Sequence, residues 1–208
     1  MSAVPTYARS FEPGTTGWSA DDLLDPEIDR LFQDGRFEIV EGVLTQMPAA
    51  LYDGSLSLQR LLRIIERHLD QYGLPGEFST EVDLVIGKRR VLRADAVFLL
   101  PEDQRRQKEA HRHGGDPAVT FGRLVVPPTL IVESLSLGHE SHDRETKRQW
   151  FAQWRVPNYW MLNAYERTVE CLVLDGDGYR TDVAGRGGDE VKPTLFAGLR
   201  IQLLKLWA

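Results

Sequence analysis

The stretch LIVESLSLGHESHDRETKRQWFAQWRVPNYWML, residues 130–162, decides the fold class. Leu130 to Glu133 is a short apolar strand that cannot begin much before Pro127-Pro128, because proline offers no donor to a strand ladder. SHDRETKRQWFAQWR, residues 141–155, then places Trp150, Phe151 and Trp154 on one helical face, and Val156-Pro157 stops it. Tyr159 to Asn163 and Thr168 to Leu174 read as adjacent strands, with turns near residues 164–167 and at Gly176. Helices interleaved with strands favour an α/β layer, since each amphipathic helix needs a sheet face to cover.

Working outward, Phe78 to Ile86 and Val91 to Leu100 form a strand hairpin through the charged turn Gly87-Lys88-Arg89-Arg90. Between Ser55 and Tyr72, Leu58, Leu61, Leu62, Ile65 and Leu69 recur at three and four residues, an amphipathic helix that Gly73 and Pro75 end. RFEIVEGVLTQMP, residues 36–48, carries apolar residues on both sides of Gly42 and predicts a bent strand or tight hairpin. Ser19 followed by Ala20, Asp21 and Asp22 resembles a helix start, with a stop near Asp34-Gly35. Residues 1–17 read as an arm, 18–208 as a single domain, and the polar run 101–119 as an exposed excursion. The last segment, LRIQLLKLW, is a strand or a short closing helix, and GRGGDE near residues 185–190 is a turn. The expected sheet is mixed, with hairpins inside it.

With 208 residues, 42% of them apolar and 27% charged, the chain can fill one core and keep a wet surface, which excludes wholesale disorder. Twenty-five basic against 31 acidic residues give a net charge of −6, against a simple basic nucleic-acid coat but not against a local basic patch. Cys171 is the single cysteine, so no intrachain disulfide or cysteine-cluster zinc site can form, and a reducing, cytoplasmic home is expected. No stretch approaches the roughly 18 apolar residues that span a bilayer.

Asp95, in LRADAVFLL, and Glu133, at the end of the LIVE run, are the acids that invite a shared metal. If their strands are neighbours, both carboxylates reach one Mg²⁺, a hard ion that takes oxygen ligands, and a phosphodiester becomes a sensible substrate. Each acid alone also reads as a solvated strand residue or a cap contact. Lys147 precedes Phe151 by one helical turn and so shares the side that packs toward the sheet, where its amine can stabilise charge on phosphate; a solvated lysine is the alternative. Glu38 and Glu41 fall on opposite phases, and a third carboxylate from this pair would hold the metal or the attacking water.

At these residues the sequence resembles a restriction-endonuclease-like family, Uma-two type, abundant in cyanobacteria and other bacteria and placed within the PD-(D/E)XK nuclease superfamily. The likeness runs from about Trp18 to Leu206 and rests on GRFEIVEGVL, RADAVFLL, LIVESLS followed by DRETKRQWFAQWRVPNYWML, and GLRIQLLKLW. The resemblance implies a restriction-endonuclease-like core, a mixed sheet flanked by helices, with a divalent-metal site at one sheet edge. It also implies a catalytic set of Glu38, Asp95, Glu133 and Lys147, of which Asp95, Glu133 and Glu38 serve as metal ligands, and Mg²⁺, or Mn²⁺ in its place, as the cofactor. Leu135 stands where the superfamily's lysine follows the second acid, and Lys147 from the next helix supplies the amine instead. Ala94 replaces a usual proline, and no histidine stands at residues 52–57, where the family often places one.

The expected function is Mg²⁺-dependent hydrolysis of DNA phosphodiester bonds by an endonuclease, with DNA as partner and a homodimer as one way to address two strands. The alternative on the same fold is a catalytically weak nucleic-acid-binding or dimeric interaction module, and a two-acid sugar hydrolase is a third reading. Lys88, Arg89, Arg90 and Arg93 before Asp95 are candidate phosphate contacts, as are His139 and His142. Arg105, Arg106, Lys108 and Arg112 extend that basic composition, and the pairs His111/His113 and His139/His142 leave a zinc alternative open.

Overall fold

The computed structural model describes residues 10–48, 51–113, 122–135 and 142–207. An eight-stranded mixed sheet forms the centre, with helices on its two faces. β1 (Phe37–Val40) and β2 (Val43–Gln46) make the expected hairpin. Its two-residue loop puts both Glu41 (φ 52°) and Gly42 (φ 80°) in the left-handed region, the twist that suits a tight hairpin. α2 (Tyr52–Tyr72) ends where Gly73 adopts φ 61° and leaves the helix.

β3 (Glu77–Gly87) and β4 (Arg90–Leu99) pair along their whole length, which occupies one edge of β4. The other edge is shared. Near its start β4 pairs with β1 at Val91–Ile39; near its end it pairs with β5 (Leu130–Ser134), from Ala96–Val132 to Phe98–Leu130. Between these pairings the edge forks, and β1 and β5 run apart around residues 92–95. From β5 the sheet continues parallel to β6 (Asn158–Asn163), then antiparallel through β7 (Thr168–Asp175) and β8 (Gly178–Arg186).

α2 buries Leu58, Leu61, Leu62, Ile65 and Leu69 against one sheet face, where Phe98, Trp160 and the C-terminal residues Phe196, Ile201 and Leu206 complete the core. The opposite face packs α4 (Arg148–Gln153), through Trp150 and Phe151, on Val97, Ile131 and Tyr159. A third cluster ties α1 (Pro26–Asp34) to β1 through Phe32, Phe37 and Ile39.

Several segments differ from the sequence reading. Pro26 splits the expected first helix into a 3-10 turn, Ala20–Leu24, and α1, with Asp25 Oδ1 accepting the Glu27 N–H at 2.9 Å as a cap. Part of the expected arm is held in place: Gly14 N–H donates to Leu44 O, Thr16 bridges Val43, and Phe11 meets Trp18 and Phe37 edge-on with ring centroids 5.2 Å apart. The run expected as an excursion begins as α3 (Pro101–His113), anchored by Asp103, which is 2% exposed and accepts the Thr129 and Leu100 N–H groups at 3.1 Å. β8 fills the stretch between the two turns read at Gly176 and near residues 185–190, for which no element was expected, and the chain end supplies both alternatives, β10 (Ile201–Gln202) paired with β9 (Glu190–Val191), then α5 (Leu204–Trp207). Among the described residues no helix is long and apolar enough to cross a membrane.

Candidate active site

The fork in β4's edge brings the candidate residues together. Continuing the antiparallel register one step past Ala96–Val132 sets Asp95 opposite Glu133. Directly opposed residues have Cβ atoms about 5 Å apart on one face, so two carboxylates from distant sequence meet by strand pairing alone. Their neighbours Val97 and Ile131 lie in the core under α4, the face from which Lys147 arrives. Lys147 closes a π-helical turn, His142–Lys147, that leads into α4. The wider turn ends with Lys147 directed at the sheet, a use of π geometry common at functional sites.

Lys147 Nζ lies 3.3 Å from Glu133 Oε1 and 3.3 Å from Glu38 Oε1, bridging β5 and β1 across the fork. All three are buried, at 3%, 2% and 4% exposure, so each charge depends on the others for compensation. Glu38 Oε1 also accepts the Arg93 N–H at 2.9 Å. That carboxylate takes over a backbone donor of β4 just where β1 has left the ladder. Asp95, half-buried, accepts the Ser134 N–H at 2.7 Å through Oδ2, which fixes the side chain at the end of β5.

Glu38, Asp95, Glu133 and Lys147 line one cavity of about 510 Å³. As donors for an absent metal, the opposed Asp95 and Glu133 offer hard oxygens suited to Mg²⁺, an ion commonly held by one or two carboxylates with water and phosphate completing its shell. Among the described residues no group of three or more His, Cys, Asp or Glu side chains forms a metal-holding cluster. The two-acid set fits such an ion. Glu38, expected as a third ligand, spends Oε1 on Lys147 and Arg93 instead.

The four basic residues of the turn expected as phosphate contacts do not line this cavity. Lys88 pairs with Asp21 at 2.9 Å, Arg89 donates to Glu41 O at 2.6 Å, and Arg90 pairs with Glu41 at 2.6 Å while lying over the Trp150 ring. Arg93 is 5% exposed and donates to Asp83 Oδ1 at 2.8 Å and Gln33 Oε1 at 2.5 Å, so it ties α1 to the β3–β4 hairpin and cannot reach a bound phosphate. The reason is local: each basic side chain next to the turn meets a carboxylate or carbonyl that linear clustering does not reveal. His139 lies outside the described residues, as does the side chain of His142.

Other lining residues carried no sequence signal of their own. Arg36 and Glu81 form a 3.2 Å ion pair beside the acids, both at left-handed φ (51° and 54°). Ser55 and Gln59 extend the lining along α2, one helical turn apart, and only the phase of that helix relative to its apolar stripe could have pointed to them.

The family model Uma2, described as "Putative restriction endonuclease", matches residues 24–204. No curated protein matches the chain. Among solved structures, the crystal structure of "a putative nuclease belonging to DUF820 from Anabaena variabilis ATCC 29413" is similar at a TM-score of 0.62 and 13% identity, over 86% of this chain and 96% of that one. At that identity the likeness establishes the fold: a mixed α/β fold with a central sheet flanked by helices, consistent with a restriction-endonuclease-like core.

Proposed function

The chain belongs to the Uma2 family, described as "Putative restriction endonuclease", and from that membership and the acid–lysine floor of the cavity we propose that it is a divalent-metal-dependent endonuclease hydrolysing DNA phosphodiester bonds in the PD-(D/E)XK manner. The observation that carries the reading is the convergence of Asp95, Glu133, Glu38 and Lys147 from four separate segments in one cavity. A structural role alone does not call for three buried charges beside a cavity, because burying them costs several kcal/mol that apolar residues would avoid.

In this reading Asp95 and Glu133 hold Mg²⁺, or Mn²⁺ in its place. When bound, the ion polarises the phosphoryl oxygens and eases deprotonation of the attacking water. Lys147 presents its ammonium to the oxygens that gain charge in the transition state, and burial makes that fixed charge more effective than a solvated one. Glu38 holds Lys147 at this position and is itself oriented by the Arg93 N–H. Ser134 N–H keeps Asp95 turned toward the same point.

The test is cleavage of supercoiled plasmid by the full chain in Mg²⁺ and in Mn²⁺, compared with Asp95→Asn. Cleavage should require the ion and fall at least about a hundredfold in the variant, the scale on which loss of a transition-state-stabilising group acts, with its melting temperature retained. Equal cleavage by the variant would overturn the assignment of Asp95. DNA binding without cutting in either metal would favour the catalytically weak binding module.

A further inference from the structure

Beyond its acid–lysine floor the cavity is mostly apolar, and that character is unexplained by phosphodiester chemistry. Val40, Met47, Leu51, Leu58, Leu62 and Leu135 supply this lining from β1, the ends of β2 and β5, and α2. Leu51 lines the cavity and is 52% exposed, so it marks the rim; next to it Tyr52, 77% exposed, begins α2. An exposed Leu at the cavity rim, followed by an exposed Tyr, resembles the apolar and aromatic surfaces on which unstacked bases rest.

Size points the same way. A sphere of 510 Å³ is about 10 Å across, room for about one nucleotide and too little for a stack of base pairs. Glu133, Lys147 and Glu38 are 2–4% exposed. A duplex brings a phosphate down to such covered groups only where it opens locally, whereas a single strand can turn one nucleotide inward. Arg36 lines the same cavity, its side chain 38% exposed and its guanidinium paired with Glu81 at 3.2 Å, which puts a cation beside the path of a nucleic-acid backbone.

We propose that the cavity takes one unstacked nucleotide of single-stranded DNA, its base against the aliphatic lining and the adjoining base on Tyr52. Arg36 grips the backbone, and the phosphodiester lies over Asp95 and Glu133. The cleavage component rests on the nuclease reading above; the binding component does not.

The experiment titrates the full chain with a fluorescent single-stranded oligonucleotide and with the same strand annealed to its complement, following anisotropy in Ca²⁺ and cutting in Mg²⁺ and Mn²⁺. The single strand should bind and be cut at least about tenfold better than the duplex, and Leu51→Asp and Tyr52→Ala should each weaken single-strand binding about tenfold, as loss of one base contact does. Both side chains are exposed, so neither change threatens the core. Duplex bound and cut as well as single strand would overturn the inference and leave the nuclease reading standing. Single strand bound with the expected preference but cut in neither metal would sustain the binding inference and overturn the nuclease reading. Binding of neither form, or single-strand binding indifferent to both substitutions, would overturn the inference.

Discussion

Lys147 is the residue on which the buried charges balance. Its ammonium faces Glu38 and Glu133 at 3.3 Å each, and both carboxylates are too covered to be fully solvated if it leaves. Lys147→Met should therefore cost about 3–5 kcal/mol, the penalty for stranding one side of a buried ion pair, read as a fall in the urea midpoint. Added Mg²⁺ should restore more stability to this variant than it adds to the wild type, because an ion between opposed carboxylates replaces the missing positive charge. Equal Mg²⁺ effects on the two proteins would mean that Glu133 and the ion do not meet. The inward direction of this residue was legible from its spacing to Phe151; its pairing with Glu38 was not, because only folding decides which of two phases in a bent strand turns inward.

At the scale of elements, the close approach of β3 to β4 depends on a residue without a side chain. Gly76, at φ 126°, leads into β3, and a Cβ there would lie 2.2 Å from the buried Phe98 ring. Gly76→Ala should destabilise the fold by about 2–4 kcal/mol, combining overpacking with an unfavourable backbone, measured by urea unfolding; an unchanged midpoint would show that Phe98 has room to move. Elements with a clear period, α2 and the β3–β4 hairpin, were readable because one face of each is apolar. β8 was not, since as an edge strand it exposes Arg180, Thr181, Ala184 and Arg186 and so lacks a buried alternation. Basic residues close in sequence can also part in space: Lys88 and Arg93 lie five residues apart, yet the hairpin turns Arg93 into the interior toward Asp83 and leaves Lys88 outside with Asp21.

For the whole molecule, pH acts through groups that the core keeps protonated. Burial pushes the Cys171 thiol well above its ordinary value, reinforced by Asp182 and Glu170, and burial likewise raises the Tyr179 phenol against the opposing pull of Arg148. Unfolded, these groups ionise near about 8.5 and 10. Below roughly pH 8.5 both states hold the protons and stability is complete; above it the unfolded chain sheds protons that the folded chain retains, so stability falls as pH rises. Urea midpoints at pH 7.5, 9 and 10.5 should decline in that order, and Cys171→Ala should remove the first part of the decline. The forked edge of β4 has an equally global consequence. Because Asp95 and Glu133 meet only through the seating of β5, a slip of one residue would present Val132 or Ser134 instead and turn Glu133 toward the other side. The five parallel pairings from Leu130–Asn158 to Ser134–Leu162 guard against that error. Assembly thus proofreads chemistry: a misthreaded copy would be compact yet inert, and the titre of competent molecules in a preparation would report how faithfully one short strand found its place.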